Sequence, residues 1–439
     1  MTSGAFAPPQ PLNEGIIIIQ VIEGQLEKVE IRGLSRLQEN YVRSRFPKTS
    51  DKPLNINQLD ESLRILQFNP LFEQVRAELK RGTAPQLSYL VVDFKEAPAF
   101  GISLQFDNYE SPSIGEYKGT IAIEHQNLLG WGDRLEGSYG LTEGLDKYDI
   151  SYTVPFNAKN GTIKLEYFNG DSEITEQFEE LDLRAESETF SLQVRQPLML
   201  TPNNEFALFL GLDLRESQTF ILEDIPFSFT LGPEEGESRV TALRLGQEWI
   251  NRSTNRVLAW RSQFSFGLDL FNATTNSSGI DGKFFSWQGQ FQWIERVDED
   301  ITFLLRVAAQ LSPNTLLPIE QFDVGGIDTV RGYRRNLRFG DSGVATSAEM
   351  RFALVRDNDW GSLEVAPFFD LGTVWSNNDD FPTPDPSTIA SLGVGLRWQI
   401  DDAFFVRLDY GVPLVDVEEQ GDSLQESGFS FSVGGKLKF

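Results

Sequence analysis

The chain has 439 residues, of which 40% are hydrophobic and 23% are charged, and this balance is too apolar for an intrinsically disordered protein. The formal net charge of −27 argues against binding of nucleic acid through its phosphates, and the lack of cysteine excludes disulfides, thiolate chemistry and cysteine-based metal sites. No uninterrupted apolar run approaches the roughly eighteen residues of a membrane-spanning helix.

The first residues predict a linker followed by an isolated strand. Residues 1–15 have neither the basic segment nor the apolar segment of a secretory signal, and prolines are frequent over 8–11. We interpret 1–15 as a linker that remains where the natural N-terminus has been removed. The four consecutive isoleucines at 16–19 predict a strand over 16–22.

Residues 24–97 predict a small α+β domain. After a β-rich run that follows Gly24, Ser35 is placed to cap a helix that ends near residue 46, and Asn57 is placed to cap a second helix. Strands are predicted over 72–79 and 87–94. The helical spacing rests on two sets of residues: Leu37, Tyr41 and Arg45 in the first helix, and Leu59, Leu63 and Leu66 in the second.

From residue 98 onward, apolar and polar residues alternate. In 284–294, FFSWQGQFQWI, aromatic residues occupy one face and serine and glutamine occupy the other, and 429–439 repeats this pattern up to the final phenylalanine. Period-two alternation predicts strands with one apolar face and one polar face. The predicted strands are 99–107, 117–126, 131–140, 147–154, 161–168, 187–196, 205–213, 239–249, 256–268, 284–294, 301–309, 343–353, 361–370, 390–398, 402–410 and 429–439.

The connections between these strands separate a membrane barrel from a soluble sandwich. Every second connection is short, as at 127–130 and 399–401, whereas several of the others are long, as at 214–238 and 310–342. Short turns on one side and long loops on the other are typical of outer-membrane barrels, in which the sheet closes so that every backbone group is paired. We therefore predict a mainly β protein, with a sixteen-stranded antiparallel transmembrane β-barrel over 98–439 in the outer membrane of a Gram-negative bacterium.

Three other features do not indicate a catalytic site or a metal site. His125 is the single histidine and lies at the end of a predicted strand, which favours an interfacial position over a catalytic triad. The acidic clusters at 298–300 and 379–380 lack the spacing of a calcium loop and are typical of solvated turns. We expect no enzymatic activity, no metal site and no cofactor.

The segment 322–333, FDVGGIDTVRGY, lies in the longest predicted loop, and a second motif, F-x-D-x-G, lies in the thirteenth predicted strand. Together they resemble the motifs of the two-partner secretion transporters in the outer-membrane polypeptide-transporter superfamily, which joins periplasmic POTRA domains to a sixteen-stranded barrel. The matching residues are Phe322, Gly325, Gly326, Val330, Arg331, Gly332 and Tyr333 in the loop, and Phe368, Asp370 and Gly372 in the strand.

The resemblance implies an arrangement for these motifs. It implies that the loop 310–342 folds into the barrel lumen, where Arg331 contacts Asp370, with Glu349 as a weaker candidate for the same network. It also implies that 24–97 is a POTRA domain in the periplasm, and that 16–23 is the last strand of a missing preceding POTRA domain. Segment 21–33 resembles the junction between two such domains.

The function implied by the resemblance is outer-membrane translocation of a partner exoprotein. The POTRA domain would capture the unfolded client by strand addition, and the barrel would form the pore. The expected partners are this client, outer-membrane lipid and lipopolysaccharide; nucleic acid is not expected, and the chain is expected to be a monomer. The alternatives are an insertase of the same superfamily, which shares the motifs, and a general porin, which would explain the barrel alone.

Overall fold

The computed structural model describes residues 4–10, 15–47, 53–84, 86–175, 181–222, 224–277, 279–358, 360–378, 384–401, 403–418 and 421–439. The chain divides into two compact units. One unit comprises Met1–Ala99, Gln126–Arg134 and Val154–Asn160, and the other comprises Phe100–His125, Leu135–Thr153 and Gly161–Phe439. In the described part of the chain, neither helix is long and apolar enough to cross a membrane.

A short hairpin opens the chain, with β1 (Gly4–Phe6) antiparallel to β2 (Gln20–Ile22). The prediction of a strand over 16–22 is therefore wrong for the isoleucines at 16–19, which are 60–64% exposed and lie outside any strand. The side chain of Gln10 explains part of this difference. Its Nε2 donates to the Ile18 carbonyl at 2.9 Å and its Oε1 accepts from the Ile18 N–H at 2.7 Å, so a side chain replaces a strand partner there.

The α+β part contains β3 (Gln25–Arg32), α1 (Glu39–Arg43), α2 (Ile56–Gln67), β4 (Phe72–Arg81) and β5 (Leu87–Glu96). The sheet order is β3-β5-β4, with β3 parallel and β4 antiparallel to β5. Both helices contribute to one apolar core with the sheet. Its buried members include Leu26, Val42, Leu59, Leu66, Leu90 and Val92.

Both predicted helix caps are wrong. The first helix begins at Glu39, and Ser35 instead donates to the carboxylate of Glu96 on β5 at 3.1 Å. The second helix begins at Ile56, because the side chain of Asn55 accepts from the N–H of Asn57 at 3.0 Å and of Gln58 at 3.2 Å. An Asn side chain caps the N–H groups two and three residues after it, so either asparagine fits the sequence pattern.

Sixteen long antiparallel strands form one closed barrel, in which the last strand pairs with the first. In chain order, the strands from residue 100 onward are β6 (Phe100–Asp107), β7 (Lys118–Gln126), β8 (Arg134–Leu141), β9 (Leu145–Pro155), β10 (Thr162–Glu173), β11 (Arg184–Leu200), β12 (Asn204–Ile221), β13 (Ile225–Pro226), β14 (Glu237–Arg252), β15 (Arg256–Leu268), β16 (Phe285–Arg296), β17 (Ile301–Leu311), β18 (Phe322–Val324), β19 (Arg338–Gly340), β20 (Ser342–Asn358), β21 (Gly361–Trp375), β22 (Thr388–Ile400), β23 (Phe404–Pro413) and β24 (Phe429–Lys438). The two-residue β13 lies beside β12, β18 and β19 belong to a loop, and the other sixteen are the long barrel strands.

The predicted sixteen-stranded barrel is confirmed, and the alternation has the expected cause. On β11, Phe190, Leu192 and Val194 are 36–43% exposed on the outer face. Arg195, the next residue along, donates to Glu205 on β12 and to Glu248 on β14. Apolar side chains thus cover the outside of the wall and charged pairs line the inside, which is the arrangement of an outer-membrane barrel.

Several strands are longer than predicted, and the loops between them are correspondingly shorter. Strand β12 has 18 residues and β11 has 17, whereas the predicted strands were 205–213 and 187–196. Two of the extra segments, 215–219 of β12 and 184–186 of β11, consist almost entirely of polar residues. A strand with polar residues on both faces shows no alternation of apolar and polar residues. The sequence pattern therefore predicts loops at these positions.

Candidate functional site

The connection between β17 and β20 enters the barrel rather than standing outside it. Val324 and Val330 are fully buried and Tyr333 is 3% exposed. They pack in one apolar cluster with Ala345, Val374 and Ile389 from the inner faces of β20, β21 and β22. The loop therefore occupies part of the lumen.

Two glycines shape the loop. Strands β18 and β19 pair with each other and bring the loop limbs together. Gly325 and Gly326 follow β18 with φ angles of 118° and 86°, which favour glycine because a Cβ atom is strained there. The Thr329 hydroxyl accepts from the Gly325 N–H at 2.8 Å and closes the turn just before Arg331.

Arg331 uses all five of its guanidinium N–H groups. Nε donates to Asp370 Oδ2 at 2.7 Å and Nη2 donates to Asp370 Oδ1 at 2.9 Å, which is a bidentate pair. Nη1 donates to Glu349 at 2.6 Å and to Asp409 at 3.2 Å, and Nη2 also donates to the Ser347 hydroxyl at 3.1 Å. One loop side chain thereby ties together β20, β21 and β23.

An aromatic ring covers the guanidinium. The Arg331 Cζ lies 3.4 Å from the ring centroid of Phe368, which places the cation over the ring face. Gly393 on β22 makes room for this ring, because a Cβ atom there would stand 2.2 Å from the Phe368 Cζ. The first residue of the F-x-D-x-G motif therefore packs against Arg331, while the third residue pairs with it.

The glycines of both motifs allow close packing around Arg331. Gly332 has a φ angle of 91°, and a Cβ atom there would lie 2.8 Å from the Gly411 carbonyl oxygen of β23. Gly372 faces Val330, whose Cγ2 would be 2.8 Å from an added Cβ. The Tyr333 hydroxyl oxygen lies 2.9 Å from the backbone carbonyl oxygens of both Ala390 and Val415, which share its single proton, and this fastens the loop to β22 and to the loop after β23.

Three more arginines neutralise the carboxylates around Arg331. Arg397 donates to Asp409 at 2.7 Å and Arg407 donates to the same carboxylate at 2.7 Å. Arg351 donates to Glu349 at 2.7 Å. Each of the carboxylates of Glu349, Asp370 and Asp409 is at most 2% exposed, and buried charges of this kind require such pairing.

The structure places the predicted residues Phe368, Asp370 and Glu349 in contact with Arg331, and Phe322 packs against the apolar cluster that contains Val330. It also adds residues that the sequence does not predict. Asp409, Ser347 and Arg397 belong to the network but to no motif that we considered. The available signal was the polar face of β23, where Arg407 and Asp409 alternate with Val406 and Leu408. Alternation alone cannot distinguish a wall residue that meets a loop from one that faces water.

The features that we set aside lie elsewhere. His125 lies at the end of β7, and the acidic cluster 298–300 lies in the turn before β17, where Asp300 pairs with Arg356 at 2.5 Å. The acidic pair at 379–380 lies outside the described residues. Among the residues that the structure describes, no group of three or more His, Cys, Asp or Glu side chains could hold a metal ion.

Comparisons with known proteins identify the family. Residues 86–398 match the family of haemolysin secretion/activation proteins ShlB/FhaC/HecB. The outer membrane transporter CdiB of Dickeya dadantii (strain 3937) is 22% identical over 411 residues, covering 90% of this chain and 70% of CdiB. CdiB of Escherichia coli is 24% identical over 398 residues, covering 87% of this chain. The chain thus spans 65–70% of the length of these relatives.

A comparison of folds agrees with this assignment. The solved structure of CdiB from Escherichia coli superposes with a TM-score of 0.79 at 21% identity, covering 100% of this chain and 81% of that chain. The family match extends over more than half of the chain, and the matched region contains both motifs around Arg331. The chain therefore belongs to the ShlB/FhaC/HecB family of haemolysin secretion/activation proteins and is an outer-membrane β-barrel transporter.

Proposed function

We propose that this chain is the transporter of a two-partner secretion pair, which moves one unfolded exoprotein through the lumen of the barrel to the cell surface. The observation that carries the proposal is the loop 312–341, which lies inside a closed barrel and is fastened there by Arg331. The porin alternative explains the barrel but explains neither the α+β domain nor the motif in the inward loop. The arrangement suits a pore that is kept narrow until a client arrives.

We propose that residues 24–97 form a POTRA domain that captures this client in the periplasm. In the sheet order β3-β5-β4, the outer edges of β3 and β4 have no strand partner among the described residues. Such an edge presents unpaired backbone N–H and C=O groups, to which an extended client segment can add as a further strand. Recognition through the backbone suits a client that is still unfolded.

The proposal extends to the membrane contacts of the barrel, its oligomeric state and the source of energy for transport. The apolar outer face of the barrel would contact lipid and lipopolysaccharide, and the chain would act as a monomer. Because no nucleotide is available in the periplasm, folding of the client outside the cell would supply the drive. We expect neither a cofactor nor catalysis in this process.

The seam between the first and last strands favours transport through the lumen over the insertase alternative. Strands β6 and β24 pair at seven successive positions from Asp107↔Ser432 to Gly101↔Lys438. Asn108 extends this ladder with its side chain, which donates to the Phe429 carbonyl at 3.0 Å and accepts from the Phe431 N–H at 2.7 Å. An insertase that works at a weak seam would require a shorter ladder.

The test is deletion of the gene in its source organism, followed by proteomics of the culture medium and of the outer membrane. We expect one or two large β-rich proteins to disappear from the medium while the outer membrane keeps its other barrels. Broad loss of other barrels from the outer membrane would contradict the proposal and favour the insertase. A matched control strain carries the intact gene at a second locus, which should restore the secreted protein.

A further inference from the structure

The loop 312–341 makes a second ionic contact with the barrel wall, ahead of β18. Glu320 ends a short 3-10 helix, Pro318–Glu320, and its side chain is 4% exposed. Arg244 on β14 donates to it through Nη1 at 3.0 Å and Nη2 at 2.8 Å, and Arg215 on β12 donates at 2.8 Å. A buried carboxylate that meets a bidentate guanidinium is a strong, directional contact.

Apolar packing supports the same part of the loop. Leu316 and Leu317 are each 1% exposed and belong to one apolar cluster with Val240 and Ala242 of β14. The limb 312–320 is therefore fixed to this wall by both charge and packing. We call the contacts of Glu320 with Arg244 and Arg215 the Glu320 contact.

The Glu320 contact and the Arg331 network have opposite signs and lie on different parts of the wall. The loop offers an anion to β12 and β14, and a cation to β20, β21 and β23, with β15, β16 and β17 between them in the barrel order. The loop therefore makes ionic contacts with two separate parts of the wall. A cavity of ≈ 480 Å³ remains between the wall from β14 to β20 and the loop residues Asp328 and Thr329.

The two contacts differ in what their loss would leave behind. Every hydrogen bond that the described residues make to the fully buried Asp370 carboxylate comes from Arg331, so its departure would leave an unpaired buried charge. After loss of Glu320, Arg244 would keep Asp213 at 3.0 Å, and Arg215, whose side chain is 33% exposed, could be hydrated. The Glu320 contact is therefore the one that separates at lower cost.

We infer that Glu320 is a positioning residue for transport, which holds the loop across the pore at rest and releases it there while Arg331 stays in place as the pivot. That this release opens the pore for a client rests on the proposed transport function. The release itself depends only on the two contacts described above. The region around Leu316 would then move away from β14, and Val330 beside Arg331 would stay buried.

The test measures the two ends of the loop separately by the reactivity of single cysteines. The chain has no cysteine, so Leu316→Cys and Val330→Cys each introduce one thiol at a position that is at most 1% exposed. In the full chain, we expect Glu320→Gln to accelerate thiol modification at position 316 at least tenfold and to leave position 330 unchanged. Channel conductance in planar bilayers should rise at least twofold in the same variant.

Two further variants make the result specific. Arg244→Gln should change both readouts in the same direction, because it leaves Glu320 with Arg215 alone. The double variant Glu320→Gln with Arg244→Gln should not exceed the effect of Glu320→Gln, because both changes act on the same contact. The matched control is Glu205→Gln, which breaks a wall pair with Arg195 at 2.7 Å and touches no loop residue. Heat-modified migration in gels shows whether each variant is a folded barrel. If Glu320→Gln is not folded, the milder Glu320→Asp takes its place.

Two outcomes would overturn the inference. One is unchanged reactivity at position 316 and unchanged conductance in both Glu320→Gln and Arg244→Gln. The other is equal exposure of positions 316 and 330, which would mean that the loop leaves the lumen as one body. Since neither measurement involves a client, the inference can fail while the proposed secretion function stands, and secretion can fail while the inference stands.

Discussion

Arg331 is a residue whose chemistry allows few replacements. Its five N–H groups reach three carboxylates and a hydroxyl while its plane lies on Phe368. A lysine would keep the charge, but it has three donors on a flexible stem and cannot form the bidentate pair with Asp370. The site therefore depends on the shape of the guanidinium as well as on its charge.

We expect Arg331→Ala to destabilise the loop strongly, because Asp370 would remain buried without a partner. Removing one member of such a buried pair costs about 3–5 kcal/mol in the free energy of unfolding. The measurement is urea unfolding of the barrel in detergent, together with protease cleavage in the loop. The matched control is Arg356→Ala, because Arg356 is 46% exposed and should change the same free energy by less than about 1 kcal/mol. An equal effect of both changes would contradict the assigned role of Arg331.

Glu96 gives a prediction about pH. Burial acts to raise the pKa of this carboxylate, but the backbone N–H groups of Leu37, Ser35 and Arg36 and the Arg36 side chain outweigh burial and lower the pKa to about 2. A lowered pKa means that the stabilisation is present above the ordinary pKa of 4.5 and is lost as the pH falls towards about 2. Glu96→Gln should therefore lower the thermal stability of the α+β domain above pH 5.

The measurement is a pair of melting curves of the full chain, wild type and Glu96→Gln, taken from pH 7 down to pH 2 in detergent. The difference between the two melting temperatures should shrink as the pH falls through the acidic range. The control is Glu73→Gln on β4, whose side chain is 38% exposed. A difference that stays constant down to pH 2 would refute the assignment to the Glu96 carboxylate.

At the scale of secondary-structure elements, the loop and β23 approach each other through backbone atoms. A Cβ atom on Gly411 would lie 2.8 Å from the Arg331 carbonyl carbon, so Gly411→Ala must push the loop or the strand aside. We expect a loss of about 1–3 kcal/mol in unfolding free energy, as for other overpacked sites, with higher conductance. Gly119→Ala on β7 is the matched control, since no atom lies within 4 Å of the added carbon. Similar losses at both glycines would disprove close packing at Gly411.

The α+β element gives a prediction about export. Deletion of residues 24–97 should abolish export of the client while the barrel still inserts, because capture and passage are assigned to different elements. Secreted client is measured by immunoblot of the medium, and insertion by heat-modified migration of the barrel. Replacement of the same residues by a flexible linker of equal length serves as the control for spacing. Export at the full level would refute the proposed capture.

The sequence predicted elements better than it predicted their ends. Alternation located all sixteen barrel strands, because one face of each meets lipid and the other meets water. Alternation did not detect the polar ends of β11 and β12. The capping pattern wrongly placed Ser35 at the start of a helix, because its actual partner, Glu96, is 61 residues away in the sequence. The placement of Arg331 near Asp370 came from family resemblance. The sequence predicted neither Asp409 nor Glu320 as a site residue. A charged residue on the polar face of a strand, such as Asp409, gives the same pattern whether it contacts water or a folded loop, and Glu320 lies in the loop, where no periodicity indicates burial.

At the scale of the whole barrel, the seam between β6 and β24 tests how a client passes. Ser103 and Lys436 are paired across it, and a disulfide between Ser103→Cys and Lys436→Cys would lock the ladder without interference from native cysteines. We expect export to continue at the wild-type level under oxidising conditions, because the client crosses the lumen. The reduced form of the same variant is the control. Export that stops on oxidation and resumes on reduction would show that the seam opens.

The unequal lengths of the strands have a consequence for the exit. Strand β12 has 18 residues and β6 has 8, so at about 3.3 Å per residue the wall at β12 extends roughly 30 Å further along the strand direction. The additional length lies on the side of the long loops, since β11 and β12 are joined by a turn of only three residues at 201–203. The wall of the barrel on the side of the long loops is therefore higher at β11 and β12 than at β6. We expect a polypeptide that leaves the lumen to pass between this taller part of the wall and the lower part at β6.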